Sequence, residues 1–458
     1  MASDNNTMEN IIALCKRRGF IYQGSEIYGG LAGTWDYGPL GVALKKNIEN
    51  IWWKMFVTDR EDMYGIDAAI FMNPQVWVSS GHVSGFADPL VEDKKTKKRY
   101  RADHLLEAAG LATPGMTVED MDRIIREKQV KSPDGNPLGE VKQFNMLFPT
   151  RIGADEDAAS VVYLRGETAP GMFVNFKNIV DSFHPRLPFG MGQIGKAFRN
   201  EIAPRDFIFR VRELEQMEVE YFVHPDTWAE YFENWRQEMW KFIEAIGIAK
   251  DHVHELEVAD GDRAHYSKRT IDFEYDYPFG RKELYGLAYR TDFDLRSHQE
   301  GSKQNLEYFD EETKIRFLPH VIEPSLGVGR TLLAVLLEAY TEDELGGERR
   351  VYLKFAPHIA PVRAAVFPLL KNKPELVAKA REVYTMLRKN FPNVAFDDNG
   401  NIGKRYRRQD EVGTPWCITI DFDTLGEKAE LKDTVTLRNR DTGEQERVLI
   451  SELSTKIS

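Results

Sequence analysis

Residues 195–223, GKAFRNEIAPRDFIFRVRELEQMEVEYFV, predict two extended segments joined by a short loop at 202–206, where Pro204 marks the turn. In the first segment, Arg199 and Glu201 leave the same face of the backbone. In the second segment, apolar and polar side chains alternate. One parity carries Phe207, Phe209, Val211, Met217, Val219, Tyr221 and Val223, and the other carries Arg210, Arg212, Gln216, Glu218 and Glu220. This pattern is typical of a sheet whose polar face either meets solvent or presents fixed charges to a ligand.

The composition is that of a globular protein with two or three domains. The chain has 458 residues, of which 42% are hydrophobic and 29% are charged. The amino terminus lacks a secretory pattern and the longest apolar run, 332–337, is too short for a bilayer, so we expect no membrane contact. Cys15 and Cys417 are too few for a disulfide framework, which favours a cytoplasmic location. The net charge of -12 argues against nonspecific nucleic-acid binding but allows an RNA partner at local basic patches.

Hydrophobic periodicity divides the chain into an α+β domain, an insertion and a smaller α/β domain. Apolar positions repeat at helical spacing over 42–57, and a strand-like run over 63–72 ends at Asn73-Pro74. Residues from about 88 to 150 are predicted as an insertion, in which Thr117 and Asp120 cap a helix. The charged segment 341–350 predicts a boundary, which gives domains over residues 1–345 and 346–458. The second domain is predicted as a mixed sheet covered by helices.

A second element rich in glycine, EPSLGVGR at 323–330, precedes an apolar helix that begins near Leu332. Glycines let the backbone approach a ligand, and the amino terminus of a helix favours an anion, to which Arg330 adds a permanent positive charge. The spacing matches neither the P-loop nor the dinucleotide-binding fingerprint. Together with Arg199, Glu201 and Phe209, however, it offers cations for phosphates, a carboxylate for adenine and a ring to stack on it. These groups point to ATP.

FRNE at 198–201, followed by Phe209-Arg210, resembles motif 2 of class II aminoacyl-tRNA synthetases. LGVGR at 326–330 resembles their motif 3, and residues 42–73 resemble motif 1, the dimer element. Blocks such as WDYGPLG, SGHVSGFAD, ETAPG and PHVIEPSLG extend the resemblance over nearly the whole chain, to the homodimeric type of glycyl-tRNA synthetase. It implies an α+β fold, with a class II catalytic core on an antiparallel sheet flanked by helices and a carboxy-terminal α/β anticodon-binding domain. It also implies a homodimer that joins glycine to the 3′ end of glycine tRNA, using ATP and Mg²⁺.

The resemblance also implies roles for individual residues. Arg199 and Arg330 are expected to be catalytic, and Glu283 to bridge to ATP through Mg²⁺, with no metal site made by the protein alone. The residues expected to bind ATP are Arg199, Asn200, Glu201, Phe209, Arg210, Val211, Arg212, Glu213, Leu214, Glu283, Leu284, Gly327, Val328, Gly329 and Arg330. The residues expected to bind glycine are Arg101, Glu167, Leu214, Glu215, Gln216, Met217, Glu218, Glu323, Pro324, Ser325, Leu326 and Gly327. Carboxylates facing the ammonium group of glycine also leave no room for a side chain, so no editing domain is needed.

In the carboxy-terminal domain, the segment GKRYRRQD at 403–410 is expected to contact RNA. It combines Lys404, Arg405, Arg407 and Arg408 with the ring of Tyr406. The alternative is a solvated helix.

A purely structural role remains the alternative for several of these residues. Glu167 has the position of a helix cap, Ser325 that of a turn hydroxyl, and Arg101 belongs to a basic run. The chain also departs from the family's usual RPETAQ and GEL patterns, with RGETAP at 165–170 and KELY at 282–285. These departures concern fine geometry rather than the reaction.

Two other functions stay open. One is a catalytically silent relative that binds nucleic acid, which the presence of Arg199, Glu201 and Arg330 disfavours. The other is a synthetase for a different amino acid, which the paired Glu167 and Glu218 disfavour.

Overall fold

The structure, a computed structural model, describes residues 4–113, 115–153, 161–261, 263–264, 266–391 and 393–458. Its amino-terminal part consists mainly of helices that lead into the main sheet. The elements are α1 (Asp4–Arg18), β1 (Ile21–Gln23), β2 (Trp35–Tyr37), α2 (Pro39–Trp53), β3 (Met63–Gly65), α3 (Pro74–Ser79) and α4 (His82–Gly85). The helix predicted over 42–57 is confirmed, as α2 followed by a π-helical turn at Lys54–Thr58. Its aromatic residues Trp52 and Phe56 lie fully in the core of this chain.

A small insertion follows, with its own hydrophobic cluster. It contains β4 (Ala87–Glu92), β5 (Arg99–Arg101), α5 (Ala102–Ala108), α6 (Val118–Glu127) and β6 (Lys142–Asn145). Val91, Leu106, Ile125 and Val141 form part of that cluster. The predicted cap of α6 is confirmed, because the Thr117 hydroxyl accepts from the Asp120 backbone N–H while the Asp120 carboxylate accepts from that of Thr117.

The middle of the chain supplies most of the main sheet. Its elements are β7 (Phe148–Arg151), β8 (Val161–Leu164), α7 (Ala169–Phe173), α8 (Phe176–Phe183), β9 (Phe189–Phe198), β10 (Glu213–Val223), α9 (Trp228–Ala245), β11 (Val253–Glu257), β12 (Arg269–Tyr277), β13 (Gly280–Thr291), α10 (Phe293–Ser302), β14 (Tyr308–Phe309), β15 (Arg316–Phe317), β16 (His320–Gly327) and α11 (Val328–Ala339). The seven-stranded sheet has the order β11-β12-β13-β16-β10-β9-β3, and its strand pairs are antiparallel except β3 with β9. The predicted α+β core on an antiparallel sheet is confirmed.

Both faces of β10 are buried. Met217, Val219, Tyr221 and Val223 pack into the main core, as their shared parity predicts. The opposite face carries the polar side chains, yet Glu218 is only 1% exposed. Helices α7 and α10 contact this side of the sheet and each other, so much of it is covered. The prediction left open whether this face meets solvent or a ligand, and its burial argues against an ordinary solvent-exposed face.

The loop between β9 and β10 is longer than predicted. It spans 199–212 rather than 202–206, so Arg199, Glu201, Phe209 and Arg210 lie on a loop and not on strands. Asp206 and Phe207 both have φ of 59°, a left-handed backbone that a strand cannot contain. The strand predicted over 63–72 is shorter than predicted, since β3 ends at Gly65.

The carboxy-terminal domain contains the predicted mixed sheet. After the hairpin β17 (Tyr340–Leu345) and β18 (Glu348–Leu353), its elements are β19 (Ala364–Pro368), α12 (Pro374–Arg388), β20 (Val394–Phe396), α13 (Ile402–Val412), β21 (Trp416–Ile420), α14 (Phe422–Leu425), β22 (Thr434–Asn439), β23 (Gln445–Leu449) and α15 (Leu453–Lys456). The sheet order is β20-β19-β21-β22-β23, with β19 parallel to both its neighbours. None of the helices in the described ranges is long and apolar enough to span a membrane.

Candidate functional site

A cleft of about 800 Å³ opens between the 199–212 loop, β10, β13 and the start of α11. It is lined by Tyr37, Arg199, Glu201, Ile208, Phe209, Arg210, Val211, Glu213, Leu214, Glu215, Gln216, Glu283, Leu284, Ser325, Gly327, Gly329 and Arg330. The two glycine- and arginine-containing segments singled out in the sequence therefore face one another across a single cavity.

Phe209 and Arg330 form a stacked platform in this cleft. The Arg330 guanidinium carbon lies 4.5 Å from the centre of the Phe209 ring, within cation–π range. Its Nη1 donates to the backbone oxygen of Glu283 at 3.0 Å and lies 3.1 Å from the carboxylate Oε2 of the same residue. The charge of Arg330 lowers the pKa of Glu283. Tyr277 and Phe279 pack edge-on against Phe209 at 5.0 and 5.1 Å and fix the ring.

Arg199 and Glu201 line the other wall. Arg199 Nε donates to the backbone oxygen of Gly166 at 3.1 Å, and the guanidinium lies over the Phe86 ring at 5.4 Å. Glu201 accepts a hydrogen bond from Arg210 Nε at 2.8 Å. These contacts hold two arginines and a carboxylate at the cleft wall without using the arginines' full hydrogen-bonding capacity. Such a wall is suited to phosphates and a purine edge.

A second cavity, of about 820 Å³, adjoins the first. Arg199, Gln216, Glu283 and Ser325 line both. The second cavity is further lined by Glu167, Glu218, Val258, Arg263, Ala264, Tyr266, Thr270, Asp272, Gly286, Ala288 and Glu323. A ligand in the second cavity would therefore lie next to one in the cleft.

Glu218 is the most completely held carboxylate of the second cavity. Strand register places it opposite Gln193 of β9 and Ser325 of β16. Its carboxylate accepts from Ser325 Oγ at 2.7 Å, from Gln216 Nε2 at 3.2 Å and from the Thr168 hydroxyl. Burial, reinforced by the nearby Glu167, raises its pKa. The buried carboxylate is short of positive charge, which a ligand ammonium group would supply.

Glu167 enters the cavity from the turn before α7, beside His82 of α4. The distance from His82 Nε2 to Glu167 Oε1 is 3.2 Å, and His82 Nδ1 lies 2.8 Å from Ser80 Oγ. Burial raises the pKa of Glu167, but the charges of His82, Arg290 and Arg199 together outweigh this effect and lower the pKa to about 2. Glu167 is therefore ionised at neutral pH, and the N-cap residue of α7 is Thr168 rather than Glu167.

A buried ionic group supports the floor of the cavity. Arg290 of β13 donates to Glu323 at 2.7 Å and to both oxygens of Asp294 at 2.8 Å, and it stacks on Tyr266 at 3.7 Å. Burial raises the pKa of Glu323 to about 8, against the attraction of Arg290. Glu220, fully buried beside Glu323, has no hydrogen-bond partner on either oxygen, and burial raises its pKa well above the usual range.

Not every predicted site residue lies at these cavities. Most line them, but seven do not: Arg101, Asn200, Arg212, Met217, Pro324, Leu326 and Val328. The side chains of Met217, Leu326 and Val328 lie in the hydrophobic core, which leaves only their backbone for a ligand contact. Arg101 instead pairs with Asp88 at 2.8 Å and with Asp103. Arg212 donates to backbone oxygens of Glu201 and Ala32.

The predicted RNA-contacting segment is also partly wrong. Arg405 is buried and donates to the backbone oxygens of Pro368, Asp398 and Gly400. Tyr406 packs on Phe367 and hydrogen-bonds Thr419. Both residues face the inside of their domain because α13 packs on the sheet.

The sequence analysis gave no role to four residues that line the second cavity or pair with its carboxylates: His82, Arg290, Tyr266 and Asp272. Of these, His82 lies in the quoted block SGHVSGFAD. The available signal for Arg290 was a lone arginine in an apolar strand, which needs buried partners. Nothing local in the sequence pairs His82 with Glu167.

Comparisons with known proteins show the family to which the chain belongs. Residues 153–340 match the family model "tRNA synthetase class II core domain (G, H, P, S and T)", and residues 363–458 match "Anticodon binding domain". A glycine–tRNA ligase of Clostridium acetobutylicum is 48% identical over 460 residues, which cover 98% of each chain. That of Acetivibrio thermocellus is 50% identical, over 98% of this chain and 97% of the relative. The chain therefore belongs to the glycine–tRNA ligases, class II synthetases with an anticodon-binding domain.

Proposed function

We propose that the cleft binds ATP, that the adjoining cavity binds glycine, and that the two react where the cavities meet. A carboxylate oxygen of glycine attacks the α-phosphorus of ATP, which releases pyrophosphate and leaves glycyl-adenylate. A 3′-terminal ribose hydroxyl of glycine tRNA then attacks the carbonyl carbon, and AMP leaves. One observation carries the proposal: Arg199, Gln216 and Ser325 line both cavities, so the reacting groups would meet beside Arg199.

In the cleft, we assign Phe209 and Arg330 to the two faces of adenine and Glu201 to its amino group. The 4.5 Å separation between the guanidinium carbon and the ring centre would widen to admit the base. Arg199 is assigned to the α-phosphate, where its permanent charge would stabilise the negative charge that develops during attack. No protein group is assigned as a general base, because positioning and charge stabilisation are sufficient for this step.

In the second cavity, we assign Glu218 and Glu167 to the glycine ammonium group. The buried Glu218 gains a favourable charge partner when an ammonium group enters, and Ser325 Oγ at 2.7 Å keeps its carboxylate oriented. Larger amino acids would have to displace these hydrogen-bonded groups, which leaves the buried carboxylate with fewer partners. Exclusion by size is therefore the proposed basis of specificity.

The cleft also has donors that fit Mg²⁺. This ion is usually bound by one or two carboxylates together with substrate phosphates and water. Glu283 lines the cleft, is ionised through the effect of Arg330 on its pKa, and is the residue we assign to it. When bound, Mg²⁺ would neutralise charge on the phosphates.

We assign residues 1–345 to the catalytic domain, with an insertion at about 88–150, and residues 346–458 to tRNA anticodon binding. The separate hydrophobic clusters of the insertion and of the carboxy-terminal sheet support this division. Within 403–410, the exposed Lys404 is the residue we retain as an RNA contact. A cytoplasmic location follows from the tRNA substrate.

We further propose a homodimer formed around the motif 1 segment. Phe71 and Val78, on either side of Asn73-Pro74, are 50% and 51% exposed, although both are apolar. A second copy of the chain is the proposed cover for them. Sedimentation of the pure protein measures this directly.

The decisive experiment is glycine-dependent exchange of labelled pyrophosphate into ATP, run with glycine, alanine and serine in parallel. We expect exchange with glycine only, and its dependence on Mg²⁺. Arg199→Ala serves as the inactive control. Absence of exchange with folded wild-type protein would refute the assignment of both cavities.

A further inference from the structure

Helix α4 and the residue after it, Phe86, contact charged groups of the site without lining either cavity. His82 Nε2 lies 3.2 Å from Glu167 Oε1, and the Arg199 guanidinium carbon lies 5.4 Å from the centre of the Phe86 ring. Glu167 lines the second cavity, and Arg199 lines both. One short segment therefore adjoins the carboxylate assigned to the glycine ammonium group and the cation assigned to the α-phosphate.

The buried imidazole of His82 is held with Nε2 towards Glu167. Its ring packs against the rings of Trp77 and Phe86, each with its centre 5.2 Å away, and its Nδ1 lies 2.8 Å from Ser80 Oγ. An ionised carboxylate only accepts hydrogen bonds, and the low pKa of Glu167 keeps it ionised. His82 therefore carries a proton on Nε2, where it faces that carboxylate.

The carboxylate of Glu167 keeps hydrogen-bonding capacity for a ligand. His82 places a donor 3.2 Å from Oε1, yet this buried oxygen has no well-aligned hydrogen bond to any part of the chain that the structure describes. Leaving a buried acceptor without a partner is costly, and an entering ammonium group would remove that cost. His82 thus orients the carboxylate and favours its charge without using up the oxygen that a ligand needs.

Phe86 acts on Arg199 both directly and through Gly166. Arg199 Nε donates to the Gly166 backbone oxygen at 3.1 Å. A Cβ added to Gly166 would lie 3.0 Å from Phe86 Cε1 and 3.1 Å from Leu147 Cδ2, closer than side chains normally approach. Phe86 therefore packs directly on the backbone that holds Arg199, and its ring adds a cation–π contact to the guanidinium.

The backbone of this segment is tied to the insertion and, through it, to the 199–212 loop. Asn145 Nδ2 of β6 donates to two backbone oxygens of α4, at 3.1 and 2.8 Å. The Met146 N–H donates to the Phe86 oxygen at 2.9 Å, and the Asn200 N–H donates to the Met146 oxygen at 2.8 Å. A helix as short as α4 has little stability of its own, so these hydrogen bonds fix its place beside the cavities.

We propose that His82 and Phe86 are positioning residues for the activation step: His82 orients Glu167 for the glycine ammonium group, and Phe86 holds Arg199 for the α-phosphate. The inference rests on the proposed function, which assigns Glu167 and Arg199 to the two substrates. Neither His82 nor Phe86 touches a substrate, so each acts through its neighbour. Loss of His82 should weaken glycine binding, whereas loss of Phe86 should slow the chemical step.

The test measures glycine-dependent pyrophosphate exchange in His82→Phe, His82→Gln and Phe86→Leu. His82→Phe keeps a ring against Trp77 but removes both nitrogens, so KM for glycine should rise about 10- to 150-fold, the size of a lost hydrogen bond to a charged group, with KM for ATP unchanged. His82→Gln restores an N–H donor towards Glu167 and should recover most of that loss. Phe86→Leu should lower kcat about 3- to 30-fold, the size of one cation–π contact, with KM for glycine unchanged.

Ser84→Ala is the control, because Ser84 lies between the two residues in sequence with an exposed side chain, and every kinetic constant should stay within twofold. Ser80→Ala loosens the His82 ring without replacing it and takes the place of His82→Phe should that variant not fold, with an expected rise in KM for glycine of about fivefold.

An unchanged KM for glycine in both His82→Phe and Ser80→Ala would overturn the proposal, as would no recovery in His82→Gln or an unchanged kcat in Phe86→Leu. Equal losses in KM for glycine and in kcat in the His82 and Phe86 variants, the mark of a general packing defect, would overturn it as well. A wild type that shows no exchange at all would instead refute the proposed function.

Discussion

Replacing Glu218 by glutamine separates the proposed glycine-binding role of this residue from its structural role. The substitution keeps the size of the side chain and removes its charge. Glu218 is 1% exposed and accepts from Ser325 at 2.7 Å, from Gln216 at 3.2 Å and from Thr168. Glutamine retains one acceptor oxygen, and the Thr168 hydroxyl can turn to accept from the new amide.

The expected effects of the substitution on glycine binding and on folding stability differ in sign and size. Loss of one partner from a buried charge pair costs about 2–5 kcal/mol, so KM for glycine should rise about 30- to 5,000-fold. Folding should not suffer equally, because burial and Glu167 raise the pKa of Glu218 in the native state. When an acidic group has a higher pKa in the native state than in the unfolded state, the protein loses stability as pH rises. The neutral amide of glutamine does not titrate, so the substitution removes that loss. We expect the free energy of unfolding at pH 8 to stay within about 1 kcal/mol of wild type, or to increase.

The assay is pyrophosphate exchange over a range of glycine concentrations, combined with urea unfolding. Glu220→Gln is the matched control, since it removes a carboxyl from the same face of the same strand. Glu220 does not line the glycine cavity, so KM for glycine should change less than threefold. A Glu218→Gln protein with wild-type KM for glycine and unchanged stability would refute the assignment of Glu218 to the ammonium group.

Three further predictions follow from buried contacts. Phe209→Leu removes the ring under Arg330 and should raise KM for ATP about 5- to 150-fold in pyrophosphate exchange, with KM for glycine unchanged. Asp410→Asn breaks the buried pairs of Asp410 with Arg438, at 2.8 Å, and with Arg350, so urea unfolding should report a loss of about 3–5 kcal/mol. The pKa of Glu220 is raised by burial, so stability should fall from pH 6 to pH 9 in wild type and fall less in Glu220→Gln. An equal fall in both proteins would contradict the protonated state of Glu220.

The sequence predicts the main sheet well where one face meets an apolar core. The parity of Met217, Val219, Tyr221 and Val223 is confirmed because a strand has a period of two and one of its faces packs on α-helices. The same pattern wrongly extended the strand through Phe207 and Arg210. The alternation of side chains does not reveal that Asp206 and Phe207 adopt positive φ. These two residues lie in the turn that the backbone pairing of Arg205 with Arg210 closes.

The site was predictable to the extent that it follows from short motifs. The resemblance identified most of the residues that line the two cavities, but it included Met217 and Leu326, whose neighbours along the strand point to the opposite face. Adjacent residues of a strand cannot share one face, so a list of consecutive site residues on a strand necessarily includes core residues. Val328, also included, is the first residue of α11 and lies in the core as well. His82, paired with Glu167 at 3.2 Å, was missed because the two are brought together only by the packing of α4 against the turn before α7.

The cavity beside the polar face of β10 is lined by more carboxyl groups than cations. Glu167, Glu218 and Glu323 line it, Glu220 lies beneath, and the Arg290 guanidinium is already shared between Glu323 and Asp294. In a buried region this arrangement is unfavourable to folding unless protons or a ligand add positive charge. Burial and mutual repulsion raise the pKa of Glu220 and Glu323, while His82, Arg290 and Arg199 together lower that of Glu167. Under the proposed assignment of this cavity to glycine, an entering ammonium group would add positive charge beside Glu167 and Glu218 and would so offset the cost of burying these carboxyl groups.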